Sequence, residues 1–141
     1  MDRSASAVWH GGLKDGSGKI STQSGTLKDT QYSFSTRFEN GVGTNPEELI
    51  AAAHAGCFTM ALSGQLTGAE LPPTSIETTA VVTLDKTDAG FTVTKIHLTT
   101  KAKVPGIDKA KFDEIAHKAK EGCPISRLLK AAEITLDASL V

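Results

Sequence analysis

The first forty residues alternate between apolar and polar side chains over short stretches separated by glycines, which is typical of β-strands. Two short stretches, 5–10 and 19–22, come before the clearest one, 31–38. The aromatic residues of 31–38 fall on one face, and Arg37 falls on the opposite, polar face. This part of the chain predicts a meander of short antiparallel strands, with Arg37 on the third strand.

Longer alternating stretches occur in the second half of the chain. Residues 76–85 and 91–104 flank a polar turn at 86–90, so they predict a β-hairpin. Residues 133–140 alternate once more and predict a strand that closes the chain.

A long helix is predicted between these two strand-rich parts, from Pro46 to about Thr67. Asn45 is a favourable N-cap, and Pro46 suits the first helical position. The side chains that follow are mostly small and apolar, and Gly56 in mid-helix costs roughly 1 kcal/mol relative to Ala. A helix with so little polar exterior is predicted to be buried and to pack closely against another helix.

Two further helices are predicted before the closing strand. One begins at Asp108 and ends at Gly122, which suits a C-cap glycine. Cys123 follows directly, and Pro124 starts a short helix that runs to about Leu129. This order of elements predicts an α+β protein with a mostly antiparallel sheet, folded as a single domain over residues 1–141.

Composition and charge narrow the possible functions. The 141 residues carry 15 Lys and Arg against 16 Asp and Glu, which argues against nucleic-acid binding. Polar residues interrupt the longest apolar run, 49–66, and the N-terminus lacks the apolar core of a signal peptide. We therefore expect a cytoplasmic protein without a membrane span, in which two cysteines do not form a structural disulfide framework.

The two cysteines are the first candidates for chemistry, although free cysteine is also a common core residue. A helix N-terminus lowers a thiol pKa, so electrostatics alone favours Cys123 as the reactive thiolate. Cys57 lies inside the long helix and needs a nearby cation to become a nucleophile. Arg37 is the most attractive source of that charge, unless it is only a solvated strand residue.

His54 and Glu47 are the candidate partners of Cys57 on the long helix. His54 lies three residues before Cys57, which permits a Cys–His nucleophile pair, or a zinc site with Cys123 and a carboxylate. That spacing matches no zinc signature, and a hydrogen-bonded core histidine is more common. Glu47 lies about 15 Å along the axis from Cys57, so it acts there only through Arg37 or from a second subunit. Its other role is to support the helix dipole.

Several segments, in order along nearly the whole chain, resemble the OsmC/Ohr family of organic hydroperoxide reductases. The most specific are the segments Asn-Pro-Glu-Glu-Leu at 45–49, Ala-Ala-His-Ala-Gly-Cys-Phe at 52–58 and Lys-Ala-Lys-Glu-Gly-Cys-Pro at 118–124. His54 and the segment Val-Pro-Gly-Ile at 104–107 point to the OsmC branch of this family.

The resemblance implies a thiol-dependent peroxidase without metal or cofactor. Cys57 matches the peroxidatic cysteine and Cys123 the resolving cysteine. Arg37 matches the arginine that activates the thiolate and binds the peroxide, and Glu47 matches the glutamate that orients this arginine. The implied fold wraps a mostly antiparallel sheet around a central buried helix, in an intertwined homodimer with its active sites at the interface.

The resemblance also implies a substrate and a reductant. The substrate is an organic hydroperoxide, with hydrogen peroxide reduced less efficiently, and the reductant is a small dithiol or a lipoylated protein. Phe58, Met60 and His54 are expected to line an apolar substrate pocket, in an enzyme of antioxidant and osmotic stress defence. Two rival hypotheses are a protein that binds an apolar ligand and a hydrolase or transferase that uses Cys57 and His54.

Overall fold

Three short strands at the start of the chain form an antiparallel sheet. In the computed structural model, which describes residues 1–141, they are β1 (Ala5–His10), β2 (Ser17–Thr22) and β3 (Thr30–Ser33). They lie in the order β1-β2-β3, as the alternation predicts. This sheet belongs to the first of two compact units, residues 1–49, and the second unit contains residues 50–141.

The predicted strand 31–38 is wrong in its second half, because the chain turns after Ser33 into a short helix, α1 (Phe34–Phe38). A capping box starts this helix. The Ser33 hydroxyl accepts the Thr36 N–H at 3.2 Å, and the Thr36 hydroxyl accepts the Ser33 N–H at 2.8 Å. Hydroxyl side chains that bond to nearby backbone compete with strand pairing, so alternation alone misses this helix. Arg37 therefore lies on a helix instead of a strand.

The long helix α2 (Pro46–Gly68) has nearly the predicted bounds. The Asn45 side chain accepts the Glu48 N–H at 2.8 Å, as expected of an N-cap. The buried residues form one stripe at every fourth position: His54, Phe58, Leu62 and Leu66. The predicted buried helix is therefore buried along one face in the single chain.

By length and composition alone, α2 is also long and apolar enough to cross a membrane. The polar residues that interrupt its sequence had predicted otherwise. Its buried stripe packs in a protein core, where Phe58, Leu62 and Leu66 join apolar residues of the second sheet and of a later helix. Long apolar helices of this kind occur in the cores of soluble proteins as well.

A second three-stranded sheet contains β4 (Ser75–Thr87), β5 (Gly90–Lys103) and β6 (Glu133–Leu140) in the order β4-β5-β6. β4 and β5 form the predicted hairpin, whereas β5 and β6 run parallel. The protein thus has two sheets, with one parallel pairing among the antiparallel ones. That pairing requires a long crossover, and two helices supply it.

The crossover helices are α3 (Lys109–Gly122) and α4 (Pro124–Leu128). Gly122 is the last residue of α3, and Cys123 is the C-cap, with φ −59° and ψ 122°. The prediction that Gly122 is the C-cap is therefore wrong by one residue. Cys123 precedes Pro124, and a proline disfavours helical backbone in the residue before it, so the proline ends α3.

The hydrophobic core of the second unit lies among α2, β5 and α3. Its fully buried large side chains include Phe58, Leu62, Leu98 and Phe112. Cys123 belongs to this core with no exposed surface. The junction between α3 and α4 is thereby held in the interior, next to the buried face of α2.

Candidate active site

The two cysteines, 66 residues apart in sequence, lie next to each other in the structure. Cys57 is partly buried in α2, and Cys123 is fully buried between α3 and α4. Both thiols are free, and their sulfur atoms are 3.1 Å apart. Because a disulfide bond is about 2.05 Å long, the two sulfurs need to approach by only about 1 Å to become bonded.

The surroundings of Cys57 favour its neutral thiol. Burial raises the pKa of Cys57 above the usual value, and the neighbouring Cys123 thiol raises this pKa further. The backbone N–H of Ile125, in the first turn of α4, bonds to Cys57 and lowers the pKa in part. The sequence predicted that the N-terminus of α4 lowers the pKa of Cys123. In the structure, this helix end directs an N–H group at Cys57.

His54 does not pair with Cys57. It is fully buried, and its Nε2 atom lies 2.7 Å from the Ser126 hydroxyl on α4. Its Nδ1 atom is buried without a hydrogen-bond partner, and burial lowers the pKa of His54. No group of three His, Cys, Asp or Glu side chains could hold a metal ion together. Neither the Cys–His nucleophile nor the four-ligand zinc site is formed.

The predicted pair of Arg37 and Glu47 is formed in the first unit. Arg37 donates from Nε to both Glu47 carboxylate oxygens at 3.2 Å and from Nη2 to Oε1 at 2.7 Å. The Arg37 side chain is 37% exposed and that of Glu47 is 13% exposed. The Arg37 guanidinium also lies 5.3 Å from the centre of the Phe38 ring. Three hydrogen bonds and the ring fix the direction of the guanidinium, while part of its surface stays accessible.

An aromatic cavity of about 310 Å³, which was not predicted from the sequence, adjoins Arg37 within the first unit. Its wall contains the only Trp, the only Tyr and two of the five Phe residues of the chain. The lining residues are Trp9, Leu13, Tyr32, Ser33, Phe34, Arg37, Phe38 and Pro46. The concentration of aromatic residues before position 40 was the available signal, and a charged group beside apolar walls suits a ligand with a polar and an apolar end.

The three residues predicted to line a substrate pocket do not line one cavity in this chain. Phe58 and His54 are fully buried in the core of the second unit. Met60 is 78% exposed. It lies two residues after Phe58 on α2, and such positions point in nearly opposite directions.

Comparison with known proteins agrees with the resemblance found in the sequence. Residues 38–139 match the family model of the OsmC-like protein. The chain is 58% identical over 140 residues to Peroxiredoxin OsmC of Escherichia coli (strain K12), with 99% of this chain and 97% of that protein covered.

A more distant relative and a solved structure agree. The organic hydroperoxide resistance protein OhrB of Bacillus subtilis (strain 168) is 32% identical over 111 residues, which cover 78% of this chain and 79% of that protein. The crystal structure of an organic hydroperoxide resistance protein OsmC from Legionella pneumophila has a TM-score of 0.72 at 26% identity, with 96% of each chain covered. The chain belongs to the OsmC-like family.

Proposed function

We propose that this protein is a cysteine-dependent peroxidase that reduces organic hydroperoxides to alcohols. The observation that carries the proposal is the pair of reduced cysteines with sulfur atoms 3.1 Å apart. A hydrolase or a simple binding protein has no use for a second thiol in that position. The names of the relatives, a peroxiredoxin and an organic hydroperoxide resistance protein, support a role in removing peroxides.

The proposed reaction begins with the Cys57 thiolate, which attacks the terminal oxygen of the hydroperoxide. An S–O bond forms, the O–O bond breaks, and the departing alkoxide takes a proton and leaves as the alcohol. Sulfur is oxidised by two electrons to a sulfenic acid. Cys123 then attacks this sulfur, so that an S–S bond forms and the hydroxyl leaves as water. A dithiol, either small or carried by a lipoylated protein, reduces the disulfide by thiol exchange.

We assign Arg37 the activation of Cys57 and Glu47 the orientation of Arg37. Cys57 needs such help, because its surroundings raise its pKa. A guanidinium close to a thiol stabilises the thiolate, and it can also bind the peroxide oxygens. The two-pronged bond to Glu47 prepares the guanidinium for that task.

The aromatic cavity supports a preference for organic hydroperoxides over hydrogen peroxide as part of this proposal. We propose that it holds the organic group of the substrate while Arg37 binds the peroxide end. Hydrogen peroxide has no apolar group to bury there, so it gains none of this binding energy. Met60, exposed and one turn from Cys57 on α2, is proposed to line the route by which the substrate reaches the thiol.

The exposed face of α2 supports a homodimer with its active sites at the interface. Small residues dominate this face, and a Cβ atom added to Gly56 or to Gly64 meets no heavy atom within 4 Å. The single chain therefore gains nothing from these two glycines, whereas a second helix could approach closely there.

The protein is soluble, and we propose that it is a cytoplasmic antioxidant enzyme of stress defence.

The first experiment measures the consumption of cumene hydroperoxide by the purified protein in the presence of a dithiol. We expect turnover by the wild type and none by Cys57→Ser. Without the dithiol, Cys123→Ser should consume about one equivalent and accumulate a sulfenic acid that dimedone traps. A wild type with both thiols reduced but no peroxide consumption would contradict the proposal and favour the apolar-ligand protein.

A second experiment decides whether Arg37 acts on Cys57 of its own chain or of the partner chain. Mixed dimers are prepared from one Cys57→Ser chain and one Arg37→Ala chain. If the arginine acts across the interface, each mixed dimer keeps one intact site and about half of the wild-type turnover. If it acts within its own chain, the mixed dimers retain only the residual activity of Arg37→Ala.

A further inference from the structure

His54 occupies a position in the core where an apolar residue would be expected. The buried stripe of α2 continues from it through Phe58, Leu62 and Leu66, and all four side chains have no exposed surface. Burial of a polar group costs free energy unless it is hydrogen-bonded, and His54 satisfies only one of its two ring nitrogens. Any role of the His54 side chain therefore has to involve its single hydrogen bond, which joins it to Ser126.

The segment held by that bond carries the resolving thiol. Ser126 lies in α4, whose five residues are too few to form a stable helix without tertiary support. Cys123 is the N-cap of α4 and makes no side-chain capping bond. Ile125, in the first turn, directs its N–H at Cys57. The position of α4 relative to α2 therefore determines both the distance between the sulfurs and the direction of this N–H group.

Few polar contacts fix that position. Besides the contact between the two thiols and the Ile125 N–H at Cys57, the bond of 2.7 Å between His54 and Ser126 is the hydrogen bond between side chains that joins α4 to α2. Ser126 is 5% exposed, so water competes little for its hydroxyl. Both ends of the bond lie three residues from a cysteine, His54 before Cys57 and Ser126 after Cys123.

We propose that the hydrogen bond between His54 and Ser126 is a positioning device, which locks α4 onto α2 and holds Cys123 ready to attack oxidised Cys57. His54 is then a positioning residue and not a lining residue of the substrate pocket. This inference rests on the proposed peroxidase function, since it concerns the step in which the disulfide forms. With α4 locked, that step requires an approach of about 1 Å and no rearrangement of the helix.

The test follows one turnover of the reduced protein with one equivalent of cumene hydroperoxide. Ser126→Ala removes the bond, and we expect disulfide formation to slow about ten-fold, as for loss of a buried hydrogen bond. Dimedone should then trap several times more Cys57 sulfenic acid than in the wild type. Ser126→Thr keeps a hydroxyl and should restore the rate. Thr100→Val, which removes a different buried hydroxyl of this unit, is the matched control and should behave like the wild type.

A second measurement does not depend on peroxide. The equilibrium between the cysteine pair and oxidised or reduced dithiothreitol reports how well the fold presents the two thiols to each other. We expect Ser126→Ala and His54→Phe each to lower the equilibrium constant for disulfide formation several-fold, and the double variant to be no worse than either single variant.

The outcomes separate this inference from the proposed function. Folded Ser126→Ala and His54→Phe proteins that form the disulfide at the wild-type rate and with the wild-type equilibrium constant would overturn the positioning role. If the wild type neither consumes cumene hydroperoxide nor forms the disulfide with it, yet both variants show the expected shift with dithiothreitol, the peroxidase function alone is overturned.

Discussion

The surroundings of Cys57 in its own unit oppose ionisation of its thiol. The pH dependence of its reactivity should therefore show whether a nearby cation stabilises the thiolate. Burial and the Cys123 thiol raise the pKa of Cys57, and the thiolate fraction then grows only as the pH rises through that raised pKa. If Arg37 supplies the missing charge, the rate of the wild type with cumene hydroperoxide should reach half of its maximum at a lower pH than the rate of Arg37→Met. The expected displacement is about 1–3 pH units.

The measurement for this prediction is the single-turnover rate against pH in a Cys123→Ser background, which removes the second thiol. Arg3→Met is the control, because it removes an exposed arginine that precedes β1. Equal pH profiles for the wild type and Arg37→Met would show that Arg37 does not activate the thiolate.

His54 should also change how the free energy of unfolding depends on pH, independently of catalysis. Its pKa in the folded protein is lowered from 6.5 by burial, so the unfolded chain binds a proton more readily than the folded chain does. Its contribution to stability is therefore complete above pH 6.5 and is lost as the pH falls toward the lowered value. One proton changes stability by at most about 1.4 kcal/mol per pH unit.

Urea unfolding between pH 5 and pH 7.5 tests this prediction. The wild type should lose more stability on acidification than His54→Phe does, because the variant lacks the titrating ring. Comparison of the two proteins cancels the carboxylates that they share. Parallel losses in both proteins would show that His54 titrates normally and is not held neutral by the core.

At the scale of elements, capping of α1 should control the arginine that α1 carries. Ser33→Ala removes the hydroxyl that accepts the Thr36 N–H, which is expected to cost about 1 kcal/mol of stability. Arg37 lies one residue after Thr36, so its guanidinium should lose part of its fixed direction, and the peroxidase rate should fall several-fold. Thermal unfolding and steady-state turnover measure the two effects. Ser6→Ala, at an exposed position of β1, should change neither.

The elements show why prediction from the sequence succeeded in some places and failed in others. The ends of α2 and the hairpin of β4 and β5 were predicted because their signals are local: a cap, a proline and an alternation of side chains. α1 was missed because two hydroxyl groups override the alternation. The parallel pairing of β5 and β6 was missed because it joins strands that two helices separate, and no local pattern encodes such a partner.

The candidate site divides in the same way. The roles proposed for Cys57, Cys123 and Arg37 came from the family resemblance, whereas electrostatic reasoning from the sequence alone favoured Cys123 as the thiolate. That reasoning assumed that the N-terminal N–H groups of α4 act on Cys123, the residue at the start of this helix. In the structure, the Ile125 N–H of α4 is directed at Cys57 across the core. The aromatic cavity was missed for a related reason, because its walls come from separate elements: β1, β3, α1 and the start of α2.

At the scale of the whole molecule, the exposed face of α2 gives the last prediction. Gly56→Leu and Gly64→Leu place a large side chain where the single chain has open space, so the helix content should be kept. A partner helix packed closely on these glycines would clash with the new side chain. We therefore expect a wild-type dimer and largely monomeric variants in sedimentation velocity. Gly122→Leu, at an equally open glycine of α3, should stay dimeric. Variants that sediment as the wild-type dimer does would place the interface elsewhere and leave this apolar face without a partner.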